Sequence, residues 1–255
     1  MRRVLVTARV FLKDEQAVEQ LKRAGFQVVE AAFAGRPSED ELISALQGFD
    51  AVIAGTEAYT ERVLRSLPKL RAIARWGVGV DAIDVAAATR AGVAVLNTPG
   101  PIAESVADLT FALMLGIARR ICEGDARVRA GKWGPVEGTL VWGKVLGIVG
   151  VGAIGTAVAR RARGFNMTVL GYDPSPRPEA AELGVEFVHL DTLLRRADFV
   201  TLHAPLTPET RNMIGRRELS LMKPTAYLIN CARGGLVDQE ALTEALRNGT
   251  IGGAA

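Results

Sequence analysis

Short apolar runs alternate with longer stretches whose apolar positions recur every three or four residues, and this rhythm continues along the whole chain. In the first hundred residues the runs fall at 4–6, 26–29, 51–54, 70–74 and 93–96. Helices are expected between them at 15–23, after Ser38, near 61–66 and near 85–90. Ser38 followed three residues later by Glu41 reads as a capping box, opening a helix that ends near Gly48. The sequence Asn97-Thr98-Pro99-Gly100-Pro101 then breaks regular structure. Beyond it the spacing predicts a long buried helix over 105–119, an amphipathic helix over 125–133 and a Gly/Pro-rich loop. Strands follow at 145–149, 167–170, 187, 199–202 and 226–230, with helices at 179–183, 192–196 and 239–247 between or after them. Residues 251–255 look like the opening of another buried strand, so the chain is expected to be part of a longer one. Strand-helix alternation of this kind implies parallel sheets covered by helices on both faces, an α/β fold. The expected division is 1–97, with five strands and no phosphate loop, and 98–255.

The densest chemistry lies at 144–173. An apolar strand meets Gly150-Val151-Gly152-Ala153-Ile154-Gly155, a helix follows, and a second strand ends at Asp173. Gly150 permits a tight turn, Gly152 lets backbone approach a pyrophosphate, and Gly155 lets the helix pack close to the strand. The N-terminus of that helix offers N–H groups and partial positive charge to phosphates. A carboxylate about 20 residues past the glycines accepts from a ribose 2′-OH and repels a 2′-phosphate, so Asp173 points to NAD over NADP.

Composition narrows the partners. With 49% hydrophobic and 23% charged residues the chain is an ordinary globular mixture, and its net charge of +3 suits a small anionic ligand. The arginine pairs 119–120, 160–161, 195–196 and 216–217 fall on separate elements, which argues against a nucleic-acid face. Cys122 and Cys231 have no metal-ligand spacing and suggest two reduced thiols, hence no metal and a cytoplasmic setting. No apolar stretch is long enough to span a membrane, and the first residues do not read as a signal peptide.

Several stretches together resemble the D-specific 2-hydroxyacid dehydrogenase family, in its phosphoglycerate dehydrogenase-like branch. They are Arg75-Trp76-Gly77-Val78-Gly79-Val80-Asp81, Asn97-Thr98-Pro99, Ser105-Val106-Ala107-Asp108, Gly131-Lys132-Trp133, the glycine loop, Tyr172-Asp173-Pro174, the motif from His203 to Thr210, and that from Asn230 to Asp238. The resemblance implies two Rossmann- or flavodoxin-like doubly wound domains flanking a cleft, a substrate-binding one and an NAD-binding one, paired as homodimers through the latter. It implies hydride transfer between NAD and a D-2-hydroxy acid, best matched by 3-phosphoglycerate. Arg233 matches the catalytic arginine, and the loop Arg75, Gly77, Val78 and Gly79 the substrate-carboxylate site. Ala153 and Ile154 would meet the pyrophosphate, Asp173 the adenosine ribose, and Val78 the nicotinamide side. His203, Ala204 and Pro205 would line the cofactor path, with Cys231, Ala232 and Arg233 at its nicotinamide end. His203 matches a framework histidine rather than a general base, and His189 is expected to be plain surface.

Two departures bear on substrate. Phosphoglycerate-specific members carry an arginine where this chain has Ala54 and an asparagine where it has Ile102, so a phosphate would lose both partners. Arg75 is a nearby cation that could compensate. The family's acid-base residues would lie beyond Ala255, so the 255 residues alone are expected to bind cofactor with negligible turnover. A glyoxylate, hydroxypyruvate or other 2-oxo acid reductase and a non-catalytic NAD-sensing corepressor-like protein are the alternative readings. The segment 105–133 is the expected place for a dimer interface.

Overall fold

In a strand buried on both faces, neighbouring residues point opposite ways, and carbon is needed on each side. The computed structural model, which describes residues 2–31, 33, 35–100 and 102–255, shows this twice. Pro101, part of the predicted breaker, lies outside the described residues, and the chain divides into two units between Pro99 and Gly100.

In the first unit, β1 (Arg2–Val6), β2 (Phe26–Glu30), β3 (Ala51–Ala54), β4 (Ala72–Arg75) and β5 (Ala94–Leu96) form a parallel sheet in the order β2-β1-β3-β4-β5. Helices α1 (Glu15–Arg23), α2 (Glu39–Leu46), α3 (Glu61–Arg65) and α4 (Val85–Arg90) connect them. Val4, Val6 and Ile53 pack with Val18 and Leu21 on one face, while Leu5, Val52, Ala54 and Ile73 pack with Leu42, Leu46, Val63 and Leu64 on the other. Each helix starts on a side-chain cap. Asp14 accepts from Ala17 N at 3.0 Å, Thr60 from Val63 N at 3.4 Å and Asp84 from Ala87 N at 2.8 Å. Ser38 and Glu41 form the predicted reciprocal box. Because β2 lies on one side of β1 and β3 on the other, the topological switch point falls between β1 and β3.

The second unit begins with α5 (Ile102–Ala118) and α6 (Ile121–Arg129). Its sheet contains β6 (Val145–Val149), β7 (Thr168–Tyr172), β8 (Glu186–Phe187), β9 (Phe199–Leu202), β10 (Tyr227–Asn230) and β11 (Gly253–Ala254), all parallel, in the order β11-β10-β9-β6-β7-β8. Helices α7 (Ala153–Ala162), α8 (Pro178–Glu182), α9 (Leu190–Arg196), α10 (Arg216–Leu221) and α11 (Gln239–Arg247) cover the two faces. Here the switch point lies between β6 and β9. Arg161 holds α7 to α5 through Glu104 at 2.7 Å and Asp108 at 2.7 Å.

The structure departs from the sequence-based expectation at several places. The amphipathic helix runs 121–129 rather than 125–133. Arg120 takes a left-handed turn (φ 51°) that restarts the helix directly after α5, and Gly131 (φ 69°) ends it, leaving Trp133 in the loop. Helix α10 and a 3₁₀ turn at Arg9–Lys13 were not expected, being too short for a periodic signal. The long helix starts at Ile102, three residues earlier than its spacing suggested.

Candidate active site

The glycine loop joins β6 to α7 at the switch point of the second sheet. Gly150 has φ +90°, and a Cβ there would lie 2.5 Å from Ala204 N, so the loop rests directly on the backbone that leaves β9. A Cβ on Gly155 would lie 2.3 Å from Gly150 O, which is the close strand-helix approach expected of the third glycine. Gly152 differs: a Cβ there would meet nothing within 4 Å, so the space above it is open. Gly152 is also the N-cap of α7 and supplies no side-chain acceptor, leaving the first N–H groups, at Ala153 and Ile154, without a side-chain cap. Asp173, just past β7, accepts from Val151 N at 2.7 Å through Oδ2 and from Ser175 N at 2.8 Å through Oδ1. Each carboxylate oxygen keeps lone-pair capacity for a ribose hydroxyl. The loop, the uncapped helix and the acid are together what a dinucleotide pyrophosphate and ribose require, and the residues fit NAD.

Two further loops leave the carboxyl ends of strands in this sheet. After β9, His203 N donates to Val149 O at 2.7 Å, which carries Ala204 and Pro205 past the glycine loop. The His203 ring pairs through Nε2 with Thr201 Oγ1 at 2.9 Å, while Nδ1 is buried with no partner among the described residues. Burial pushes its pKa down to about 4, so the imidazole is neutral at pH 7 and serves as framework. After β10, the Asn230 side chain bridges the loop, accepting from Ala232 N at 3.0 Å and donating to Arg233 O at 2.9 Å. That staple sets Cys231, Ala232 and Arg233, all half-buried, and Arg233 Nη1 donates to Ala232 O at 3.1 Å. The structuring role of Asn230 was missed from sequence, although an Asn two residues before a turn is a known signal. His189 is exposed at the start of α9.

The first unit carries its own loop, after β4. Trp76 N donates to Ala54 O at 2.9 Å, and Gly77 N to Arg75 O at 2.9 Å and to Thr98 Oγ1 at 3.0 Å. Asn97 Nδ2 donates to Val78 O at 2.8 Å. The N–H of Trp76 is therefore spent on the end of β3 and that of Gly77 on Arg75 and Thr98, and those of Val78 and Gly79 have no acceptor among the described residues. Gly77 contributes shape rather than a donor: its φ is +138°, and a Cβ would lie 2.6 Å from Arg75 Nη1. Asn97 and Thr98, which read from sequence only as part of a breaker and a motif, are the struts that hold this turn. Among the described residues no group of side chains could hold a metal, and no helix is long and apolar enough to cross a membrane.

The family model for the D-isomer specific 2-hydroxyacid dehydrogenase NAD binding domain matches residues 111–255. The chain belongs to the D-isomer-specific 2-hydroxyacid dehydrogenase family. It is 46% identical over 229 residues to a glyoxylate reductase of Thermococcus litoralis, covering 86% of this chain and 69% of that protein. It is 43% identical over 261 residues to a D-3-phosphoglycerate dehydrogenase of Methanocaldococcus jannaschii, covering all of this chain and 48% of that protein. A solved structure of a Thermus thermophilus protein superposes with a TM-score of 0.87 at 40% identity, covering 99% of this chain and 80% of that one. The chain thus spans about half the length of the phosphoglycerate dehydrogenase relative and about two thirds of the glyoxylate reductase. The family match falls on the second unit as an NAD binding domain, and the glycine loop, Asp173 and the two strand-end loops all lie at the carboxyl ends of its strands.

Proposed function

We propose that this chain carries the cofactor- and substrate-binding parts of an NAD-dependent D-2-hydroxyacid dehydrogenase acting on a short, unphosphorylated 2-oxo acid such as glyoxylate or hydroxypyruvate. The observation that carries the chemistry is Arg233, fixed by the Asn230 staple at the carboxyl end of β10, in the sheet that bears the open glycine loop. NAD, when bound, supplies the hydride chemistry. The planar guanidinium of Arg233 holds a carboxylate in bidentate fashion and stabilises negative charge developing on the adjacent oxygen. The N–H groups of Val78 and Gly79 offer the first unit's own anion contact. For the substrate, Ala54 at the end of β3 is fully buried and Ile102 is apolar, so neither donates to a phosphate. A second reading, 3-phosphoglycerate, is favoured by Arg75, which stands opposite Ala54 in the register of β3 and β4.

The test is NADH oxidation by the natural full-length protein with glyoxylate, hydroxypyruvate and phosphohydroxypyruvate compared at equal concentration. A clear preference for phosphohydroxypyruvate would replace the first reading by the second. Turnover of none would move the chain to the non-catalytic NAD-sensing class. The 255 residues by themselves are expected to bind NADH without measurable turnover, because His203 is neutral framework and His189 lies at an exposed helix start. We also infer a homodimer through the second unit, supported by exposed Ile121, Val128, Trp133, Leu140 and Trp142. The free, exposed thiol of Cys122 supports a cytoplasmic setting.

A further inference from the structure

The loops that leave β9 and β10 do not part where their strands end. Asn212 N donates to Gly235 O at 2.8 Å, Ile214 N to Leu236 O at 3.1 Å, and Asp238 N to Ile214 O at 3.0 Å. Ile214 and Val237 form a parallel bridge there. Asn212 reaches its place with φ 53°, a left-handed conformation that Asn tolerates better than most residues. The loop of Ala204 and Pro205 is thereby zipped to the loop of Arg233.

Leu206 is where the two loops touch by a side chain. A Cβ on Gly235 would lie 3.2 Å from Leu206 Cδ2 and 3.3 Å from Cδ1, so the leucine fills the space that a side chain at 235 would take. Neither side of that contact is loose. The Thr210 hydroxyl donates to Pro205 O at 2.6 Å and accepts from Thr207 N at 2.8 Å, pinning the peptide groups before and after Leu206. Across from it, Gly235 is the middle residue of the 3₁₀ turn Gly234–Leu236, which starts directly after Arg233. Arg233 O accepts from Leu236 N of that turn at 3.1 Å and from Asn230 Nδ2 at 2.9 Å. Arg233 is therefore held from one side by the Asn230 staple and from the other by a turn that bears on Leu206.

A guanidinium that clamps a carboxylate works within a narrow range of position, and a misplacement of about 1 Å can cost about a hundredfold in rate. The hydrogen bonds fix the backbone of each loop. How closely the two loops approach is set by the side chain packed between them, because close-packed contacts resist small shifts.

We propose that Leu206 is a positioning residue for the dehydrogenase reaction: packed on Gly235, it sets the place of Arg233 relative to the loop of Ala204 and Pro205. This rests on the functional reading above, which gives Arg233 the substrate carboxylate. Leu206→Ala opens a gap on Gly235, and Leu206→Met refills it at nearly the same volume. In the natural full-length protein with hydroxypyruvate or glyoxylate, Leu206→Ala should lower kcat/KM at least about tenfold, with kcat falling as well as KM rising, and Leu206→Met should recover most of that loss. NADH affinity, followed by fluorescence titration, should stay within about threefold. Oxalate, a mimic of a 2-oxo acid, gives a readout without turnover: its calorimetric affinity in the presence of NADH should weaken about tenfold in Leu206→Ala. Gly235→Ala reaches the contact from the other side by pushing on Leu206. It should weaken oxalate in the parent and much less in the Leu206→Ala background, where the new methyl finds the gap. Additive losses in the double variant would overturn the proposal. So would a Leu206→Ala protein whose NADH affinity falls as far as its oxalate affinity, or one that behaves like the parent. Thermal melts identify unfolding, and if Leu206→Ala does not fold, Gly235→Ala decides by the same comparison of oxalate with NADH. Should the parent turn over none of the acids, the functional reading fails by itself; oxalate binding that Leu206→Ala then weakens still sustains the positioning role, and a parent that binds no oxalate removes it.

Discussion

Gly150 and Gly152 stand two residues apart in one loop and answer to different demands. Gly150 needs its positive φ and its closeness to Ala204, so Gly150→Ala should cost about 2 kcal/mol or more of stability, visible as a lower urea midpoint. Gly152→Ala meets nothing in the folded chain, so it should melt like the parent while NADH affinity, followed by fluorescence titration, drops at least about tenfold. Unchanged NADH binding by Gly152→Ala would sink the assignment of that space to the pyrophosphate. His203 supports a pH prediction whose sign follows from its lowered pKa. With about 4 in the folded protein and 6.5 for an exposed imidazole, both states are neutral above pH 6.5 and the residue has no effect there. As pH falls from 6.5 to 4 the unfolded chain takes up the proton first, and stability declines by up to about 3 kcal/mol. His203→Gln should show a shallower decline than the parent over that window in denaturation curves; parallel declines would count against a buried neutral imidazole. The tight turn at Gly150 and the close approach at Gly155 were legible in the sequence, because spacing alone encodes them. The burial of His203 was not, since it depends on how β9 lies against β6.

At the scale of elements, a cap matters as much as the helix it starts is buried. Asp238 accepts from Glu240 N and Ala241 N, both at 3.0 Å, and opens α11, whose Ala241 and Ala245 enter the core of the second unit. Asp14 caps α1, which has no fully buried residue. Asp238→Ala should therefore destabilise by about 1 kcal/mol, and Asp14→Ala by less, because fraying α1 exposes little carbon. Equal losses in paired chemical denaturations would contradict that. These caps also explain what the pattern could reveal. Helices that open on Ser38 or Asp238 have a local chemical start and were found, as was the strand run 199–202, which is fully buried. Helix α10 begins at Gly215, where the only cap is Glu218 reaching back to Gly215 N at 3.1 Å, and six residues are too few for periodicity to show. The displaced α6 has the same cause in reverse: its apolar spacing continues past residue 129, but Gly131 ends it.

For the molecule as a whole, the demand left to meet is a set of large exposed apolar side chains on the second unit. Trp133 is 92% exposed, and Ile121, Val128, Leu140 and Trp142 are each more than half exposed. Scattered apolar residues on a surface need no explanation, but several large ones on α6 and the loop after it do. The displacement of α6 from its expected range matters here: because the helix ends at Arg129, Trp133 is carried on the loop, where a second copy can bury it against its own equivalent. A tryptophan buried at the centre of such a contact contributes far more than its neighbours. Trp133→Glu puts a charge in that place and should convert a dimer to a monomer by light scattering, while NADH affinity stays within about twofold, since the glycine loop lies on other elements. A parent protein that runs as a monomer at micromolar concentration would dismiss the dimer. A variant that remains dimeric would move the interface to another face, and with it the explanation for the exposed carbon.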